Sequence, residues 1–112
     1  MTISASSAMM GPTIASAGPP DQGITRTVIG EHPIEGTTKV LELILAEFPP
    51  GAQSPAHTHP AVGINYILSG HADSQYEGEP VKRYTAGDTY QDPAGKKHLL
   101  FKNPSNTTVL KF

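Results

Sequence analysis

The stretch Gly51-Ala52-Gln53-Ser54-Pro55-Ala56-His57-Thr58-His59-Pro60 decides how this chain is read. It follows a break at Pro49-Pro50 and carries two histidines one residue apart. Side chains at i and i+2 of an extended segment point to the same side. His57 and His59 therefore present both imidazoles to one point. Such a pair alone is a weak signal, because a closed metal site needs a third ligand. His98 is the candidate, since it follows the turn Pro93-Ala94-Gly95-Lys96-Lys97 and enters a strand. Imidazole suits zinc, iron, nickel, copper and manganese to differing degrees.

Outward from this stretch the chain reads as short strands separated by turns. Residues 39–48 (KVLELILAEF) give the strongest strand, stopped by Pro49-Pro50-Gly51 and preceded by no helix cap. Residues 24–29 are β-branched and precede the breaks at Pro33 and Gly36. Further strands are expected at residues 64–68, 72–76, 81–84, 89–91, 98–102 and 108–112, each bounded by Gly, Pro, Asn or Asp. Turn signals about every ten residues, with no convincing helix, predict a sandwich or barrel. No glycine loop stands at a strand-to-helix junction, so nucleotide binding of that kind is not indicated.

Residues 51–70 resemble the first motif of the cupin family: a glycine, H-x-H, a glutamate position and a closing glycine. Residues 87–103 resemble the second, G-D-x-x-x-x-P-x-G-x-x-H with a later asparagine. Gly87, Asp88, Pro93, Gly95 and His98 fall at the expected spacings, and Asn103 lies one residue beyond its usual place. The resemblance implies an all-β, cupin-type β-barrel (jelly roll) of six to eight antiparallel strands with little or no helix. It implies His57, His59 and His98 as ligands of one divalent metal ion: iron, manganese, zinc or nickel. One departure stands out: the position of the motif glutamate holds Gly63. Three-histidine cupins include dioxygenases that bind ferrous iron. A centre without the carboxylate keeps the full charge of the ion and should favour an anionic or chelating ligand.

The remaining polar residues are weighed individually. Asn65 shares the face of Gly63 and could offer an amide oxygen near the metal, and Gln53 could do so from the preceding loop. The plainer role for both is to bond backbone or water. The sequence identifies no general base: metal-bound hydroxide, Tyr90 or a cavity histidine could serve, whereas Tyr66 alternates outward to the surface or a dimer contact. Tyr76 and Tyr84 line the cavity or its rim. His32 and His71 lack motif partners and read as surface residues. Asp88 is expected to bond turn backbone, and Lys96-Lys97 to form a solvated turn.

Length and composition bound the answer. The chain has 112 residues, enough for one domain, and a formal charge of -2 that gives phosphate backbones nothing to bind. It has no cysteine, which excludes disulfides and thiol catalysis. No apolar run is long enough for a membrane-spanning helix. Residues 1–23 are poor in charge and read as a flexible N-terminal arm ahead of a barrel over residues 24–112, the alternative being a strand added to a partner subunit. Lacking a basic segment before an apolar stretch, the chain reads as cytoplasmic. A small barrel leaves sheet edges open, so a homodimer is expected, with residues 24–29 as the pairing strand. Two functions fit. One is a metal-dependent enzyme on a small molecule, working by dioxygenation or by metal-assisted isomerisation, dehydration or decarboxylation. The other is a non-catalytic binding cupin with a structural or vestigial metal site.

Overall fold

The apolar run Lys39–Phe48 forms one strand along its whole length and organises the larger of two antiparallel sheets. The computed structural model describes residues 1–7 and 22–112. In chain order the strands are β1 (Thr2–Ser7), β2 (Thr25–Pro33), β3 (Lys39–Phe48), β4 (Gln53–Ser54), β5 (His57–Thr58) and β6 (Gly63–Tyr66). They continue as β7 (His71–Tyr76), β8 (Lys82–Thr85), β9 (Thr89–Asp92), β10 (Lys97–Lys102) and β11 (Leu110–Lys111). One sheet runs β11-β3-β1-β6-β9 with β2 on the far side of β3; the other runs β4-β10-β7-β8 with β5 also on β10. No helix occurs among the described residues, so none there could cross a membrane.

The eleven strands among the described residues exceed the expected six to eight. The excess comes mainly from two-residue pairings such as β4 and β5, which flank Pro55 and are too short to leave a periodic signal. The first strand has a different cause. Thr2–Ser7 lies between β3 and β6, with Thr2 opposite both Ile44 and Asn65. The open edges of two distant strands supply its partners, and local propensity carries no trace of that. The rest of the expected arm, residues 8–21, falls outside the described residues.

Alternation along the strands carries polar groups inward. On β6, Gly63 and Asn65 are buried while Ile64 and Tyr66 are exposed. On β9 the buried pair is Tyr90 and Asp92, and on β7 it includes Ser74 and Tyr76. Beneath these groups lies the apolar core. Phe48, Phe101 and Phe112 pack with ring centroids 5.1 to 5.5 Å apart. Burying a ring of this size stabilises the fold by about 1.5–3 kcal/mol.

The motif residues with no metal-binding chemistry hold turns. Gly70 has φ +86°, and a Cβ there would sit 2.7 Å from the Val109 carbonyl oxygen. Asn103 is fully buried, and its amide donates to the carbonyls of Phe48, Pro49 and Thr108 at 3.0, 3.2 and 2.7 Å. Asp88 accepts from the Thr85 backbone N–H at 2.8 Å, the turn role expected of it.

Candidate metal centre

Cross-strand register brings the three histidines together. His98 on β10 pairs with His57 on β5 on one side and with Tyr76 on β7 on the other. A bulge between His98 and Leu100 shifts the β10 register there. His59 is fixed two residues beyond His57, where its carbonyl accepts from the Gly95 N–H at 2.9 Å. One donor nitrogen from each of His57, His59 and His98 lies within 4.8 Å of the others.

The hydrogen bonds around these rings fit a cation. His57 Nδ1 lies 2.7 Å from the Pro55 carbonyl oxygen and must donate its proton there. That leaves Nε2 with its lone pair free to bind, 3.1 Å from His59 Nε2. Metal–nitrogen bonds of about 2.1 Å place neighbouring donors roughly 3.0–3.4 Å apart, so this spacing suits a shared ion. His98 Nε2 is engaged by Ser74 Oγ at 2.8 Å, and its Nδ1 is buried with no partner among the described residues. An unsatisfied buried nitrogen costs about 1–3 kcal/mol, and a metal at the cluster would remove that cost. Burial holds the His98 pKa down to about 4 despite Asp92 nearby. His59 is lowered too, first by burial, and further by His57 and Arg26, with Asp92 opposing. Neutral imidazole is the form that binds a metal.

The histidines open onto a cavity of about 240 Å³. Phe48, Phe101 and Phe112 line its apolar part, while Arg26, Asn65, Tyr90 and Asp92 supply polar groups. Arg26 donates to Ser54 Oγ at 3.1 Å and lies over the Phe48 ring at 5.4 Å. Asn65 donates to Asp92 Oδ2 at 2.8 Å and accepts from Thr2 Oγ1 at 2.5 Å. Tyr76 OH donates to Asp92 Oδ1, and burial together with that bond raises the Tyr76 pKa.

Of the three further candidates from the sequence, Asn65 and Tyr90 line this cavity. Gln53 is exposed and its backbone faces Gln22, so it does not join them. It fails because Ser54, the next residue on β4, takes the inward position. Tyr84 stacks on Tyr90 at 4.9 Å, and Tyr76 stacks on His98 at 4.1 Å. His32 is exposed beside Glu35, and His71 is exposed on β7. Lys96 pairs with Glu79 rather than being merely solvated.

Arg26, Ser74 and Asp92 were not singled out from sequence. For Asp92 a signal existed: it lies two residues beyond Tyr90 on one strand, hence on the same face. Arg26 sits on a strand whose residues are nearly all exposed, and only the tertiary fold turns it to the cavity.

A sequence description of the Cupin domain matches residues 44–112, more than half of the chain and both histidine motifs. The chain belongs to the cupin family. The cupin is 42% identical over 50 residues to dimethylsulfoniopropionate lyase DddQ of Ruegeria pomeroyi, a stretch covering 45% of this chain and 25% of that protein. It therefore spans about a quarter of that relative's length. Its fold is similar to that of KdgF from Halomonas sp., with TM-score 0.65 and 22% identity, covering 83% of this chain and 78% of the other. A Cupin 2 conserved barrel domain protein from Salinispora arenicola aligns over 95% of this chain and 85% of its own, with TM-score 0.62 and 20% identity.

Proposed function

We propose that this cupin is a metal-dependent enzyme acting on a small carboxylate-bearing molecule by metal-assisted proton transfer, as a lyase or isomerase. One observation carries the reading: a single cavity joins the three histidines to the Arg26 guanidinium across an apolar lining. A volume of about 240 Å³ has room for roughly eight water-sized groups, which points to a molecule of a few carbons. An ion held by His57, His59 and His98 would supply Lewis-acid polarisation of a substrate oxygen.

The chain's own residues would do the rest. Arg26 offers charge-assisted hydrogen bonds to a carboxylate from its place over the Phe48 ring. The phenylalanine lining gives the substrate's carbon skeleton an apolar surface to pack on. Burial raises the Tyr90 pKa well above its ordinary value, so its phenol stays protonated and can donate to a developing negative charge. A pocket serving only binding would not need these polar groups beside the histidines. The partial likeness to a lyase supports the same reaction class. We further read the active form as a homodimer.

The test is metal analysis of tag-free protein with a screen of short carboxylic acids for proton exchange in deuterated water. One divalent ion per chain, lost in the His57→Ala, His59→Ala double variant, together with exchange that Arg26→Leu abolishes, is the expected result. Full metal content in the double variant would overturn the centre. Metal without exchange, elimination or isomerisation of any acid would favour the binding module.

A further inference from the structure

A buried carboxylate lies on the strand next to the position of the motif glutamate. Gly63 on β6 is directly opposite Asp92 on β9 in the antiparallel register. A Cβ built at Gly63 would lie 3.4 Å from Asp92 Oδ2 and 3.6 Å from Asp92 Cβ. The Asp92 side chain thus borders the space that a side chain from position 63 would enter. Oδ1 of the same carboxylate lies 3.5 Å from His59 Nε2 and 3.9 Å from His98 Nδ1. Donors sharing an ion of bond length about 2.1 Å stand roughly 3.0–3.4 Å apart when adjacent, so a small inward movement suffices.

We infer that Asp92, which stands on β9 opposite Gly63 on β6, is the carboxylate ligand of this metal centre. The inference deepens the metal-centre reading and rests on it.

Three features of the carboxylate support the role. It is buried, with 6% of the residue exposed, and a buried carboxylate needs a cation or donors. Its two bonds, from Asn65 to Oδ2 and from Tyr76 to Oδ1, hold its plane while leaving acceptor capacity on Oδ1. Those bonds have the character of the outer contacts that orient metal-binding carboxylates. The Gly63 backbone is not in the left-handed region, so a turn does not demand glycine, and any side chain there would start in direct contact with Asp92.

The experiment measures Zn²⁺ affinity by chelator competition and the visible spectrum of the Co²⁺ form. Both use the full chain, with unfolding of the metal-free proteins as a check on folding. The variants are Asp92→Ala, Asp92→Asn, which keeps the side-chain shape should the alanine variant fail to fold, and the double variant Gly63→Glu, Asp92→Ala. Loss of a direct ligand should weaken Zn²⁺ by about 100-fold or more, at least the upper end of the 10–100-fold cost of losing an outer contact. The Co²⁺ bands should shift in the single variants, and the glutamate of the double variant should restore Zn²⁺ affinity. Unchanged affinity and spectrum in the Asp92 variants, with His57→Ala still abolishing binding, would refute the ligand while leaving the histidine centre intact. Weakened binding with an unchanged spectrum and no rescue would make Asp92 an outer contact, which also overturns the inference. A wild-type chain that takes up no metal would remove the centre and the inference together.

Discussion

At the scale of single residues, the site rests on which nitrogen or oxygen of each side chain is already occupied. His57 commits Nδ1 to the Pro55 carbonyl, and His98 commits Nε2 to Ser74. The unengaged nitrogen of His98 is thereby the buried one nearest Asp92. Ser74→Ala should weaken metal binding about 10–100-fold through loss of that positioning bond, with little change in stoichiometry, as titration with Zn²⁺ would register. Gly63→Glu alone makes a different case. The new carboxylate enters beside Asp92, and two buried like charges oppose each other. The metal-free variant should melt lower than wild type, and saturating Zn²⁺ should raise its melting temperature more than it raises that of wild type. Scanning calorimetry with and without the ion checks this; an equal shift in both proteins would place position 63 away from the centre.

At the scale of elements, the turns and the short sheet edges fix register. Gly70 closes the bend before β7, where any Cβ would press on the Val109 carbonyl. Gly70→Ala combines that clash with a positive φ, so it should destabilise by about 2 kcal/mol or more, measured by denaturant unfolding. The β7–β8 pair is held partly by Arg83 on Asp73, with Nε–Oδ1 2.7 Å. The hydrogen bond from Arg83 lowers the Asp73 pKa, against a smaller effect of burial. The sign follows: the folded state favours the carboxylate, so this contribution is present above the ordinary aspartate value of 3.8 and fades as pH falls through the lower folded value. Arg83→Ala should therefore flatten acid unfolding in the region just below pH 3.8 relative to wild type, as circular dichroism at stepped pH would record.

At the scale of the molecule, apolar surface on the larger sheet remains uncovered. Ile3, Leu41, Ile64 and Tyr66 are 44%, 41%, 54% and 45% exposed. The registers of Ile3 with Ile64 and with Leu43, two residues from Leu41 on β3, put Ile3, Leu41, Ile64 and Tyr66 on one outward face. The edge strand β2 adds Val28 and Ile29, each 46% exposed, and pairs only with β3 among the described residues. The proposed homodimer would cover both features. Light scattering at micromolar concentration should give a dimer, and Ile64→Asp should give a folded monomer that still binds metal. A wild-type monomer would leave the exposed face without that explanation.

The sequence by itself determined the all-β class, the positions of most strands and the three histidines, because turns and i, i+2 alternation are local properties. Lys39–Phe48 matched its expected bounds, ending at the first proline of the Pro49-Pro50 break. The tertiary structure alone decided what surrounds the histidines. Thr2 enters the cavity on a strand that exists only because β3 and β6 flank it. Arg26 reaches the cavity from an otherwise exposed edge strand. Gln53 points away because a two-residue pairing sets its face, and Asp92 meets Gly63 because an antiparallel register places them opposite each other. Those juxtapositions depend on contacts between residues far apart in the chain, so no window of sequence contains them.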